Sequence, residues 1–158
     1  MDGLQIIEGD LQARGLRFAI VAARFNDFVV ESLISGALDA LSRHGAAAGQ
    51  LELIRVPGAF DLPLVVRRIA EAGRADAIIA FGAVIRGKTA HFDYVAAECA
   101  TGLSRVASDT GVPVAFGVLT TDTVEQAADR AGGKAGNRGA DAAEAAIHLA
   151  TLLKKLGD

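Results

Sequence analysis

The sequence predicts an α/β protein, a three-layer αβα sandwich around a four-stranded parallel sheet with an N-terminal arm strand. Two observations carry that prediction. Short apolar runs alternate four times with segments of helical period, the pattern of strand–helix units wound onto one sheet. The runs are apolar at consecutive positions and not at alternate ones, as in strands covered on both faces. A chain of 158 residues buries roughly two-thirds of its unfolded surface as one unit. With no linker and no internal repeat, the chain reads as a single domain over 1–158, its first fifteen residues an arm.

Residues 16–23 read as the first strand. Asn26 or Asp27 caps the helix after it, whose buried stripe runs through Val29, Val30, Leu33, Ala37, Leu38 and Leu41 until His44 and Gly45 end it. Residues 51–56 form the second strand, stopped by Pro57 and Gly58, and a helix through Leu64, Val65, Ile69 and Ala70 closes near Gly73. The run 77–81 opens a third strand that drives into the polar stretch 82–94, and a helix with Val95, Cys99, Leu103 and Val106 leaves it. Residues 113–119 are the fourth strand. The stretch 120–123 caps the next helix, with Glu125 spaced for a capping box from Asp122. Glycine-rich residues 132–139 break the pattern. An alanine-rich helix from about 140 to 156 follows, with Ala143, Ala146, Ile147, Ala150 and Leu153 on one face. This alternation implies right-handed crossovers and a flavodoxin-like sandwich. Leu4, Ile6, Ile7 and Leu11 give the first fifteen residues a short extended signal; an arm pairing with a neighbouring subunit and a frayed terminus explain it equally well.

Composition narrows the class. A hydrophobic content of 51% with mean hydropathy +0.34 is high for a small soluble monomer, and the alanine surplus points to helix faces buried against other subunits. A formal net charge of -3 argues against a general nucleic-acid partner. No apolar run reaches the ~18 residues of a membrane span, and the first residues lack the basic region of a signal peptide, so the expected location is cytoplasmic. Cys99 has no partner for an internal disulfide and reads as a small core or interface residue. His44, His91 and His148 are too far apart for metal-ligand spacing, so no metal site is expected.

In such a fold the chemistry collects at the carboxyl ends of the strands. Those ends read Arg24-Phe25-Asn26, then Pro57-Gly58-Ala59-Phe60-Asp61, then 84–91, then 116–121. Phe25, Phe60 and Phe116 lie at or near them. One such phenylalanine is ordinary core lining, but several beside polar hooks suit a flat heteroaromatic ligand. Gly87, Lys88 and Thr89 put backbone N–H groups, a cation and a hydroxyl at a helix N-terminus, where an anion binds readily. His91 follows; on the residues alone it reads equally as a proton-transfer group or as an ordinary helix-start residue. Arg130, closing the fourth helix, is either a surface charge or a phosphate ligand. The absence of a Gly-x-Gly-x-x-Gly after the first strand, and of a Walker loop, argues against dinucleotides and nucleoside triphosphates.

These blocks occur in order and at family spacing: Arg24-Phe25-Asn26, Val56-Pro57-Gly58-Ala59-Phe60-Asp61-Leu62-Pro63, Gly82-Ala83-Val84-Ile85-Arg86-Gly87-Lys88-Thr89-Ala90-His91-Phe92-Asp93-Tyr94, and Pro113-Val114-Ala115-Phe116-Gly117-Val118-Leu119-Thr120-Thr121. Glu125-Gln126-Ala127 and Arg130-Ala131-Gly132 follow. With them the chain closely resembles the 6,7-dimethyl-8-ribityllumazine synthase family of riboflavin synthesis, over nearly its whole length. The resemblance implies condensation of 5-amino-6-(D-ribitylamino)uracil with 3,4-dihydroxy-2-butanone 4-phosphate, releasing phosphate and water without cofactor or metal. It implies that Phe25 stacks on the pyrimidine ring, that Ala59, Phe60 and Asp61 hold the ribityl chain, and that Ala83, Val84 and Ile85 run along the ring. Lys88, Thr89 and Arg130 would hold the phosphate, and His91 would move protons. Phe116 and Arg138 would come from the adjacent subunit. Two positions depart from the family pattern: Asp61 stands where glutamate is usual, one methylene shorter, and Arg138 where lysine is common, with a fork in place of a point charge.

The family implies a homo-oligomer, a pentamer that in some members builds a sixty-subunit icosahedral capsid; the compact 132–139 connection resembles that of shell-forming members and reads equally as a flexible helix break. Two other classes compete on the sequence. A non-catalytic lumazine- or flavin-binding scaffold need not keep Phe25, Lys88, Thr89, His91 and Arg130 together. An FMN electron carrier calls for a hydroxyl-rich phosphate loop directly after the first strand, where Arg24-Phe25-Asn26 stands.

Overall fold

In the computed structural model, which describes residues 1–157, four strands alternate with helices. They are β1 (Phe18–Ala23), α1 (Asp27–Arg43), β2 (Leu51–Val56), α2 (Leu62–Glu71), β3 (Ala77–Ile85), α3 (His91–Thr110), β4 (Val114–Thr121) and α4 (Val124–Arg130). A small antiparallel hairpin, β5 (Ala131–Gly133) and β6 (Gly136–Asn137), leads into α5 (Arg138–Leu156). The main sheet is parallel throughout, in the order β2-β1-β3-β4.

The strand pleat builds the three layers. Phe18, Ile20 and Ala22 of β1 join one core with Leu33, Ala37 and Leu41 of α1 and Ala143, Ala146 and Ile147 of α5. Ala19, Val21 and Ala23 point the other way, into a second core with Leu62 and Val66 of α2 and Cys99, Leu103 and Val106 of α3. Neighbouring positions therefore face opposite layers, which is why β1 and β3 are apolar at every residue. Edge strand β2 leaves Glu52, Leu53 and Arg55 exposed.

Several local expectations shift. Leu38, Leu64 and Leu153 lie exposed and not in their helix stripes, where Ile34 and Ala40, Leu62 and Val66, and Ala142 do the packing. The capping box falls one residue late. β4 runs through Thr121, so Thr123 becomes the cap: its Oγ1 accepts from Gln126 N at 3.1 Å while Gln126 Oε1 accepts from Thr123 N at 3.4 Å. The glycine-rich break is a hairpin, and α5 starts earlier than expected, because Asn137 Oδ1 accepts from Gly139 N at 2.7 Å and Ala140 N at 3.2 Å. The same Asn137 donates through Nδ2 to Ser32 O at 3.1 Å, fixing the α5 start against α1.

The N-terminal arm forms no strand within the single chain. Its later part lies along α5: Asp10 N donates to Thr151 Oγ1 at 2.9 Å and Lys155 Nζ to Glu8 O at 2.8 Å. Ala13 N then reaches His44 O at 2.9 Å. Leu4, Ile6 and Ile7 stay exposed.

Candidate active site

The tips of β1, β2 and β3 converge on one cleft of about 170 Å³. The first wall comes from the turn after β1. Arg24 N and Phe25 N donate to Val56 O and Pro57 O at 2.8 and 3.1 Å, so the turn is zipped to the end of β2. Asn26 caps α1 with a left-handed backbone, φ 63°, the one non-glycine residue with positive φ among those described. Its backbone carbonyl receives Val29 N and Val30 N, while its side chain turns away from the helix and donates through Nδ2 to Ala83 O at 2.7 Å. Asparagine tolerates this conformation better than most residues, and here it fastens the β1 turn to the tip of β3. Phe25, held next to that bolt, keeps its ring 72% exposed at the mouth of the cleft.

The second wall is the turn after β2. Pro57 and Gly58 stop the strand, and a single 3-10 turn, Ala59–Asp61, brings Ala59 into the cleft. The Asp61 carboxylate accepts from Gly58 N at 3.0 Å, which stiffens the turn. Phe60 beside it is 61% exposed.

The floor and the chemistry come from β3 and the loop after it. Ala83, Val84 and Ile85 form the strand edge of the cleft, and Gly87, Thr89 and His91 line it where α3 begins. His91 N approaches Thr89 Oγ1 at 3.4 Å, a long contact that leaves the hydroxyl available to a ligand. The N-terminal end of the α3 dipole and the nearby Lys88 make this end favourable for an anion. The Arg86 guanidinium is held to Asp122, which raises its already high pKa. By contrast, burial pushes the Cys99 thiol up to about 11, and Cys99 sits in the core as an inert packing group.

Of the residues expected at the site, the cleft gathers Phe25, Ala59, Ala83, Val84, Ile85, Thr89 and His91. Phe60, Asp61 and Lys88 adjoin it in the same turns without lining it. Phe116 does not stand at a strand end. It pairs in register with Ala80, five positions before the Ile85–Thr121 pair at the tip, or about 16 Å away along the strand. Its ring is 47% exposed beside Leu103 and Ala107 of α3. Arg130 is half-buried and donates to Gln126 O at 2.9 Å. Arg138 pairs with Asp141 at 3.0 Å near the α5 start. Gly87 of the expected anion loop lines the cleft too, and three further lining residues, Asn26, Phe92 and Val95, fall outside the expected set. Asn26 carried a readable signal, a polar αL-tolerant residue between strand and helix; Phe92 and Val95 look like ordinary helix positions in sequence. Among the described residues no group of three or more His, Cys, Asp or Glu gathers as a metal site, and no helix is long and apolar enough to cross a membrane.

Comparison with known proteins gives the same direction. The family described as 6,7-dimethyl-8-ribityllumazine synthase matches residues 15–154. The protein named 6,7-dimethyl-8-ribityllumazine synthase from Halorhodospira halophila (strain DSM 244 / SL1) is 58% identical over 154 residues, covering 97% of this chain and 99% of that protein. A match of this identity across almost the full length of both chains, on a sheet and cleft of this form, means that the chain belongs to the 6,7-dimethyl-8-ribityllumazine synthase family.

Proposed function

We propose that the cleft at the sheet tips is where the chain performs its reaction, and we assign roles to its residues. The chain condenses 5-amino-6-(D-ribitylamino)uracil with 3,4-dihydroxy-2-butanone 4-phosphate to 6,7-dimethyl-8-ribityllumazine, the penultimate step of riboflavin synthesis. One observation supports the assignment above all: a single cleft carries an aromatic ring (Phe25), a strand edge (Ala83, Val84, Ile85), an anion-suited loop (Gly87, Thr89) and an imidazole (His91).

In this reading the pyrimidine stacks on Phe25 and hydrogen-bonds along the end of β3, where Ala83, Val84 and Ile85 run on past the end of β1 while still paired with β4. The turn Ala59–Asp61 holds the ribityl chain. Lys88, Thr89 and Arg130 hold the phosphate. The free amine attacks the ketone carbon and water leaves, giving an imine. Phosphate departs by elimination, and the ribitylamino nitrogen closes on the second carbonyl with loss of a second water. His91 moves protons between these steps. Holding two small reactants in place contributes up to roughly 7–11 kcal/mol, against a factor of ~10²–10⁴ for a positioned acid–base group. Positioning therefore dominates, and no cofactor is called for.

The single-chain cleft is open on one side, and Phe116 and Arg138 are exposed away from it. We assign them to the cleft of an adjacent subunit in a homo-oligomer, a pentamer or a sixty-subunit capsid of pentamers. The exposed arm residues Leu4, Ile6 and Ile7 suit a strand laid against a neighbour's sheet edge. Mixing purified protein with both substrates and following the lumazine absorbance tests the reaction, and sedimentation velocity tests the assembly. A monomer that turned over at the rate of the assembled protein would overturn the shared site.

A further inference from the structure

Arg86 does not line the cleft, yet its side chain meets three groups that frame the 87–90 loop. Its Nε donates to Asp122 Oδ1, just beyond β4, at 2.8 Å. Its Nη1 lies 3.5 Å from Asp93 Oδ1 in the first turn of α3. The guanidinium carbon sits 4.4 Å from the centre of the Phe92 ring, and Phe92 itself lines the cleft. The backbone N–H of Arg86 is committed as well, to Thr121 O at 2.8 Å. One side chain thus joins the tip of β3, the start of α3 and the tip of β4, around the short loop that carries Gly87, Lys88 and Thr89.

The charges give this arrangement a purpose. Two carboxylates flank a loop read above as the phosphate seat, and uncompensated negative charge there opposes an incoming phosphate. Exposed ion pairs add little to fold stability; Arg86, Asp93 and Asp122 all have side chains about half or more exposed. The cluster therefore counts for little in holding the fold and for more in shaping the field at the anion site. Only a guanidinium offers two differently directed donors and a flat face to reach both carboxylates and the ring at once.

We infer that Arg86 is a positioning residue for the phosphate subsite: by bridging Asp93 and Asp122 it holds both ends of the 87–90 loop and cancels the carboxylates beside the seat. This rests on the reading of Gly87 and Thr89 as that seat. Arg86→Gln in the assembled enzyme raises the KM for the butanone phosphate, and the inhibition constant of inorganic phosphate, by about tenfold. The KM for the ribitylaminouracil and the thermal midpoint stay close to those of the parent. Removing the two carboxylates in the same protein (Arg86→Gln, Asp93→Asn, Asp122→Asn) recovers most of the lost phosphate affinity, which a purely structural staple would not do. Unchanged phosphate constants in Arg86→Gln, equal losses for both substrates, or a triple variant weaker than the single one would each overturn the inference. Thr89→Ala separates this from the underlying reading. If Thr89→Ala weakens inorganic phosphate while Arg86→Gln does not, only the role of Arg86 falls; if Thr89→Ala changes nothing, the seat lies elsewhere and the inference falls with it.

Discussion

Asn26 does two jobs with one side chain position: it takes a left-handed backbone at the end of β1 and bolts that turn to Ala83 O at 2.7 Å. The two are separable. Asn26→Gly keeps the φ without strain but loses the bond, whereas Asn26→Asp keeps the shape and sets a carboxylate against a carbonyl oxygen. Both leave Ala83 O without its donor, at a cost of about 1–3 kcal/mol, and the aspartate adds repulsion at the cleft wall. Urea unfolding should rank parent above glycine above aspartate, and the KM for the ribitylaminouracil should rise along the same series, lowest in the parent and highest in the aspartate variant. For His91, whose backbone rather than ring is engaged by Thr89, replacement by alanine removes proton transfer and leaves positioning. Turnover falls by ~10²–10⁴-fold with measurable lumazine formation remaining; complete loss with folding and ligand binding intact would reverse that ranking. Arg130 is anchored by its own helix through Gln126 O at 2.9 Å, which leaves the rest of its guanidinium to turn to an anion. Arg130→Ala weakens the butanone phosphate by about tenfold or more and barely touches the ribitylaminouracil, measured as separate KM values.

Helix α5 meets α1 at a closer distance than any side chain permits. A Cβ on Gly139 would lie 2.0 Å from Leu33 O, so the first turn of α5 and the middle of α1 touch backbone to backbone. Gly139→Ala must push the helices apart or displace the Asn137 cap, and about 1–3 kcal/mol or more of stability goes with it, read from the shift of the urea midpoint. Signals spread over many residues are legible in the chain, and those resting on one residue are not. Strands β1 and β3 are legible because burial on both faces demands apolar residues at every position, a signal spread over many side chains. The start of α5 is decided by a single Asn137 hydrogen-bonding inside a glycine-rich run, and periodicity registers the glycines while missing the cap. The Thr123–Gln126 box slips by one residue for the same reason: two overlapping patterns fit, and the length of β4 chooses between them. At the candidate site, Phe25, Thr89 and His91 are legible because they sit in the turn after β1 and at the entry to α3. Phe116 looked like a strand-end residue only because the register of β4 against β3 is a tertiary fact, invisible in the run of residues.

At the scale of the whole molecule, the proposed oligomer accounts for several exposed features together. Phe25 is exposed at the cleft mouth, Phe116 is exposed some way from it, Arg138 stands exposed near the hairpin, and the arm offers Leu4, Ile6 and Ile7 to solvent. A ring of identical subunits resolves all of these if each protomer lends Phe116 and Arg138 to its neighbour's His91, a head-to-tail contact that closes on itself. That arrangement has an arithmetic consequence. Take two crippled variants, His91→Ala and Arg138→Ala, refold them together in equal amounts, and let them assemble at random. A site is complete only where a protomer with intact His91 meets a neighbour with intact Arg138. Each condition holds half the time, so about one site in four is fully restored. The mixed assembly should then show about a quarter of the parent activity, well above the mean of the two variants assembled separately. If every site were built within one chain, each protomer would carry one defect whatever its neighbours, and mixing would yield only that mean. Sedimentation velocity on the mixture verifies that assembly, and not its failure, sets the activity measured.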